Sequence, residues 1–426
     1  MSAQKTHAPS EEAPGLAVAM RFHRDLYLYW SAVERAGGVA LTGRGYVPRP
    51  ALRRLREDLA AGEPLIGEAD AGDVAEADAP RLLFLRRTLE RLSLLRVRGE
   101  GEQQRLEAAE IRMVARYLAR PLAERTRMVL RLWMGGAWWP DRLDPRAGLP
   151  GWLMPAAPRV AIARRRLIEE IAFLAPGALL PAPSTTRLAR ATTTHGLRAA
   201  RRRPSPRTPA RSVASGDEVT PAALAGPLAW LGVVVWDEDA GEWRAGLPGD
   251  ALRDGAADAE QPSGLAEQPG RVVAQSDLSV IAYPPFSGPE LLTLDLCGDR
   301  EALSQTARYR LSRAAFARAR DFGWDAAEVA RRLERLIGAT PPDALRVTLA
   351  DWERLASRLH LEVGVTLLEL PSAETLDALL ADRASAGWNI RRLTPTAASI
   401  APEAAPRVRA WLLRHGLLPA MGDTQG

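Results

Sequence analysis

Few side chains in this sequence have types and spacings that could do chemistry. Cys297, in LDLCGDR, is the only cysteine, and His7, His23, His195, His360 and His415 lie far apart without HxxxH or HExxH spacing. A single cysteine excludes an intrachain disulfide and a cysteine-based zinc site, and the histidines offer no metal-ligand pattern. With no activating neighbour in sequence, Cys297 reads as a buried free thiol. Carboxylate pairs such as Glu169-Glu170 and Asp237/Asp239 are of the kind that performs acid–base work. Neither has a His or Cys nearby, so both read as solvated faces. Ser312 precedes a helical pattern, and its hydroxyl is better explained as an N-cap than as a nucleophile.

Lysine narrows the chemistry further. Of 57 Lys+Arg residues only Lys5 is a lysine, and it sits in a polar N-terminal stretch. A phosphate-cradling GxxxxGK[ST] loop needs a lysine on the β/γ-phosphates, and Schiff-base enzymes need a reactive amine. Neither can be built here. No catalytic residue, metal or cofactor is assigned, and the chain is expected not to be an enzyme. A metal-dependent nuclease using Asp and Glu is the enzymatic class left over.

The positive charge is concentrated. The chain carries a formal +5, and between Arg187 and Ser212 eight arginines (Arg187, Arg190, Arg198, Arg201, Arg202, Arg203, Arg207, Arg211) stand without an acid. Setting those eight aside leaves 49 basic residues against 52 acidic ones, a formal −3. Pro204, Pro206 and Pro209 forbid a regular helix through the second half of this run. It reads as a flexible basic linker whose arginines contact phosphates, each contact releasing counterions. The competing reading is a passive solvated tether.

These features must be positioned by the elements around them. After a polar tail (1–16), Leu26, Tyr29, Trp30 and Val33 recur at helical spacing until Gly37-Gly38. A helix then starts at Pro50, another spans 81–95, and an extended segment over 94–98 leads into a Gly-rich turn. Residues 17–120 therefore read as a winged-helix-like helical domain, with a helical module over 121–186 built from helices at 121–134 and 159–174. Trp138-Trp139 between them read as core rather than as a base-stacking platform. The basic linker spans 187–215. A winged-helix-like fragment follows at 216–253, where GVVVWDEDAGEWRAGL gives a hairpin that sets Trp236 near Trp243. Its turn is acidic (Asp237, Glu238, Asp239, Glu242), which suits a protein contact better than phosphates. A second linker covers 254–270.

Residues 271–370 carry the strongest local logic. RVVAQSDLSVIAY reads as a strand ending at Pro284-Pro285, and Ser312 caps a helix that Gly323 ends. Asp325 with Glu328 opens the next helix. A further helix runs through Asp351 and Trp352, and LEVGVTLLEL closes the unit as a strand. Phe316 and Trp352 read as core residues. Helices at 373–381 and 402–415, with a short strand at 390–393, form a C-terminal extension over 371–426.

The order VVAQSDLSVIAYP, YRLSRAAFARARDFGWDAAEVARRLERL, a proline break and LADWERL resembles the N-terminal domain of xeroderma pigmentosum group B (XPB)-type helicases, a domain also met as a helicase-associated domain in bacterial proteins. A looser likeness in LYLYW and LTGRGYVPRPALRRL extends toward the N-terminus. The resemblance implies work on DNA beside an ATP-driven motor. The sequence departs from those helicases in having no GxxxxGK[ST] and no DExH box, so any motor would be a separate polypeptide. The expected protein is mainly α with short β-hairpins: winged-helix-like modules plus a small α/β domain like the XPB N-terminal one. It is expected to be cytoplasmic or nucleoid-associated, with no signal peptide or membrane span. Its expected partners are DNA and a separate helicase or other ATPase. The alternative is a protein–protein adaptor with a passive linker.

Overall fold

The computed structural model describes residues 13–59, 75–136, 138–139, 158–180, 223–253, 265–268, 270–356 and 366–417. The chain forms two compact units, Met1–Trp352 and Glu353–Gly426. Helices dominate both, joined by small antiparallel sheets, which is the expected fold class.

The first unit opens with α1 (Leu16–Arg35), β1 (Val39–Ala40), α2 (Arg49–Leu59), α3 (Pro80–Arg91), β2 (Leu95–Arg98) and β3 (Arg105–Ala108). Helix α1 begins well before the periodic stretch that marks it in sequence, and left-handed Gly37 (φ 60°) and Gly38 (φ 96°) end it as expected. The extended segment 94–98 has its hairpin partner in β3. Leu106 is the residue of β3 that pairs with both Val39 and Val97, placing β3 in the middle of a β1-β3-β2 sheet.

Helices α4 (Ile111–Leu118), α5 (Leu122–Gly135) and α6 (Pro158–Ile171) follow. Residues 178–180 then run beside a later hairpin, β4 (Val234–Asp237) and β5 (Glu242–Ala245). Leu180 N–H donates to Trp243 O at 2.9 Å and Ala245 N–H to Ala178 O at 2.8 Å. The hairpin is entered through a π-helical turn, Leu224–Leu228, where Gly226 and Pro227 break the α-helical ladder. Trp236 pairs with Trp243 in register and their rings meet edge-on at 5.2 Å, as the hairpin pattern predicts.

The pattern of residues 39–108 thus returns: a short strand, a helical segment, and a hairpin whose second strand lies in the middle. The junctions agree in detail. Ser93 (φ 59°) and Gly232 (φ 70°) each stand two residues before the hairpin, left-handed, with Leu94 N–H on Leu89 O and Val233 N–H on Leu228 O, both at 2.9 Å. This is the six-residue closure by which a left-handed residue satisfies the last carbonyls of a helix.

The elements that follow are β6 (Val272–Ala274), β7 (Ser279–Ala282), α7 (Gly288–Cys297), β8 (Asp299–Leu303), β9 (Ala307–Arg310), α8 (Arg313–Phe322), α9 (Ala326–Ile337) and α10 (Asp343–Ala356), which runs past the end of unit one, with sheet order β6-β7-β9-β8. The expected single strand over 271–283 is instead two strands. The chain reverses between them through a turn in which Leu278 adopts φ 69° and Asp277 accepts from Ser279. Among the described residues, one hydrophobic cluster draws members from Ala13 to Leu349.

The second unit contains β10 (Thr366–Glu369), α11 (Ala373–Ala381), β11 (Arg391–Arg392), β12 (Ala397–Ile400) and α12 (Ala405–Arg414), with sheet order β10-β12-β11. Here too the second hairpin strand is central, and left-handed Asn389 (φ 49°) stands two residues before the hairpin. Leu376, Leu379, Ala398, Val408 and Trp411 make its own small core.

Candidate functional site

The eight arginines of the basic run lie outside the described residues. The described chain on either side of them is informative. Leu180, the last described residue before the run, is hydrogen-bonded to Trp243, and Ala223, the first after it, is buried at the start of the turn leading into β4. The described chain thus stops before the run at the strand segment beside β5 and resumes after it at the turn into β4. Hairpin β4–β5 presents Glu238, Asp239 and Glu242 exposed, while Asp237 is tied to Arg244 at 2.6 Å.

In a helix–turn–helix unit the second helix usually meets the DNA groove. Helix α3, which leads into hairpin β2–β3, is packed into the fold rather than presented at the surface. Ten of its twelve residues, from Arg81 to Glu90, are buried. Phe84 sits at the centre, its ring 5.4 Å from Trp138, 5.0 Å from Trp139 and 5.4 Å from Trp230. The adjacent tryptophans are thus core residues, 1% and 5% exposed, and no base can stack on them. Arg164 completes the arrangement by donating to the carbonyls of Trp133, Gly136 and Trp139 at 2.5–2.9 Å, closing the end of α5.

Four charged residues of α3, Arg81, Arg86, Arg87 and Glu90, stand in ion pairs within the fold. Asp25 of α1 lies between Arg24 (2.7 Å) and Arg81 (2.5 Å), all three buried. Glu76 and Glu90 hold Arg86 at 3.2 and 3.3 Å, and Glu90 also binds Arg87 at 2.6 Å. Desolvation raises the Glu76 carboxyl above its ordinary range, against the pull of Arg86. These charges brace α1 against α3. Removing one partner of such a set commonly costs about 3–5 kcal/mol, because the other charge stays buried.

Helices α8 and α9 offer a different surface. Ser312 accepts from Ala315 N–H and Asp325 from Glu328 N–H, so both expected N-caps are made, and left-handed Gly323 turns the chain between the helices. On α9 only Val329 and Leu333 are buried. Its outer face exposes Ala327, Arg331, Glu334 and Arg335, with Arg332 lying over the Trp324 ring at 3.9 Å. Glu328 is shared by Arg331, Arg332 and Arg335 at 2.7, 2.6 and 3.7 Å, so one carboxylate serves three guanidiniums. Phe316 is buried in α8 and meets the half-buried Trp352 at 5.9 Å, so both belong to packing.

The groups that could have been catalytic are placed otherwise. Cys297 is a buried free thiol, and burial pushes it up to about 12, far from a thiolate at neutral pH. His23 is buried between Thr126 Oγ1 (3.1 Å) and the Tyr117 hydroxyl (2.9 Å), its basicity lowered first by desolvation and then by the Arg125 cation. Glu169 and Glu170 are exposed on α6. Glu290, pushed up to about 7 by burial, completes a capping box with Ser287 at the start of α7. No cluster of His, Cys, Asp or Glu among the described residues could hold a metal ion, and no described helix is long and apolar enough to cross a membrane.

Residues 272–394, from β6 through β11, match the family described as the helicase conserved C-terminal domain. The match covers less than a third of the chain. It supports a helicase-associated domain over the same stretch whose motifs resemble helicase sequences. Among curated proteins nothing matches the chain.

Proposed function

We propose that this protein is a non-enzymatic DNA-binding accessory of a helicase, acting in repair, replication or transcription beside a motor carried by another polypeptide. The observation that carries this reading is a helicase-type domain match in a sequence without a lysine-bearing phosphate loop. The basic run supplies the affinity. Its eight arginines hold all of the chain's positive excess. Helix α9 supplies a second, exposed cationic surface inside the matched domain. Phosphate contacts of this kind give binding that falls steeply with salt and carries little sequence preference.

The test is a gel mobility shift with salt titration. Changing Arg201, Arg202 and Arg203 to Ala should weaken binding to every DNA sequence and flatten the slope of log K against log salt. On duplex DNA the slope should fall by about 0.9 for each phosphate that is no longer neutralised. Unchanged affinity and slope would make the run a passive tether. That result would favour the protein–protein adaptor, a reading supported by the burial of α3 and by the acidic turn at Asp237–Glu242.

A further inference from the structure

Between the loop after β1, the C-terminal half of α3 and strand β2 lies a pocket of about 580 Å³, lined by Leu41, Arg44, Arg86, Arg87, Arg96 and Val97 among others. That volume falls in the range of small-molecule sites. Its composition is specific. Leu41, Leu95 and Val97 give an apolar wall, and four guanidiniums face one lining carboxylate, that of Glu90. Even counting Glu76 beneath Arg86, the cations exceed the anions by two.

The four arginines differ in how they are held. Arg86 is 1% exposed, fixed by Nη2 donating to Gly45 O at 2.8 Å; its Nε and Nη1 stand within ion-pair distance of Glu90 and Glu76 but lack hydrogen-bond geometry. Arg87, 8% exposed, spends Nη1 on Glu90 and leaves Nε without an acceptor. An unpaired N–H on a buried guanidinium is costly, and Arg87 Nε is such a donor at this pocket. Arg44, in the loop after β1, and Arg96, on β2, are both exposed lining residues with no ion-pair partner among the described residues. Glu107, across the strand from Arg96, is taken by Arg98 at 2.9 Å.

We infer that this pocket is a binding site for a phosphate-bearing ligand. Arg44 and Arg96 close on the phosphate from the rim, Arg86 and Arg87 supply a fixed positive floor, and the Leu41–Leu95–Val97 wall accommodates whatever carries the phosphate. Guanidiniums suit this task because their planar fork matches the oxygens of a phosphate. The same chemistry could come from a free phosphate or from the phosphorylated end of a nucleic-acid strand. This site is separate from the basic run and stands or falls independently of it.

The test is calorimetric titration of the full chain with inorganic phosphate, with a 5′-phosphorylated thymidine dinucleotide, and with the same dinucleotide lacking the phosphate. Binding of either phosphate-bearing probe, with the unphosphorylated dinucleotide silent, is expected. Inorganic phosphate alone would identify a free anion as the source, and the phosphorylated dinucleotide alone a strand end. The double variant R44A/R96A, which removes only exposed side chains, should weaken that binding at least about tenfold, as expected for losing charge-assisted hydrogen bonds, while melting like the parent. The triple variant R201A/R202A/R203A should leave it intact. Silence of both phosphate-bearing probes, equal binding with and without the phosphate, or full binding by R44A/R96A would overturn the assignment.

Discussion

His23 shows why a residue that invites functional interpretation does structural work here. Its ring is enclosed, hydrogen-bonded to Thr126 and Tyr117, and held neutral by desolvation and by the Arg125 cation. The folded state therefore resists protonating it, while the unfolded chain takes up a proton near the ordinary value of about 6.5. Below that pH the unfolded state binds more protons, so this group contributes stability that is full above about 6.5 and is lost as pH falls, at up to about 1.4 kcal/mol per pH unit. Chemical denaturation at pH 5 and pH 7.5, for the parent and for His23→Gln, measures the effect. The parent should lose more stability on acidification than the variant, and an identical loss in both would show that His23 is protonated in the native state. The buried Asp25–Arg24–Arg81 and Glu76–Arg86–Glu90 sets belong to the same scale. Nothing in the one-dimensional pattern distinguishes an arginine on a wet helix face from one locked against a buried carboxylate, so neither set is visible in the sequence.

Among the elements, those whose boundaries are chemical were legible. Ser312, Asp325 and Gly323 delimit α8 and α9 by local hydrogen bonds that residue types announce, and the hairpin through Trp236 and Trp243 carries its own turn signal. Elements set by tertiary packing were not legible. Helix α7, GPELLTLDLC, is apolar nearly all round because seven of its ten residues are buried, so it shows no periodicity. Its Ser287-x-x-Glu290 capping box was the available signal. Strands β3 and β12 are four residues long, and their central positions in their sheets come from pairing on both sides, which spacing does not show. A close approach between elements was equally hidden. The start of α1 docks on hairpin β4–β5 through three glycines, with Gly15 N–H donating to Gly246 O at 2.8 Å. A Cβ on Gly246 would lie 2.1 Å from the backbone oxygen of Gly232, which no side-chain motion can relieve. Gly246→Ala should therefore lower stability by at least the ~1–3 kcal/mol typical of overpacking. Gly135→Ala, where a Cβ meets nothing within 4 Å, is the control and should melt at or above the parent temperature. Equal melting of both variants would mean that the three-glycine junction is not formed.

At the scale of the whole molecule, the helicase-type match and the absence of a lysine-bearing phosphate loop from this sequence must be reconciled. A phosphoryl-transfer motor needs a lysine on the β/γ-phosphates, a magnesium carboxylate and an arginine finger, held within one preorganised site. Arginines are plentiful, but the single lysine, Lys5, follows no glycine-rich loop. Many of the described arginines are committed to carboxylates or carbonyls within the fold, as Arg81, Arg86 and Arg164 are. The matched segment 272–394 itself contains no lysine, so it cannot contribute the phosphate-binding part of a motor. The purified chain should release no inorganic phosphate from ATP above background, with or without DNA. Hydrolysis should appear only when a second polypeptide carrying the motor is added, and this chain should then alter its rate or its dependence on DNA. DNA-stimulated hydrolysis that coelutes with the isolated chain on size exclusion, and that persists in an independently purified preparation, would show that the nucleotide is handled by a site of a different design. A helicase-type domain would in that case not need a separate motor, and the accessory role would have to be abandoned.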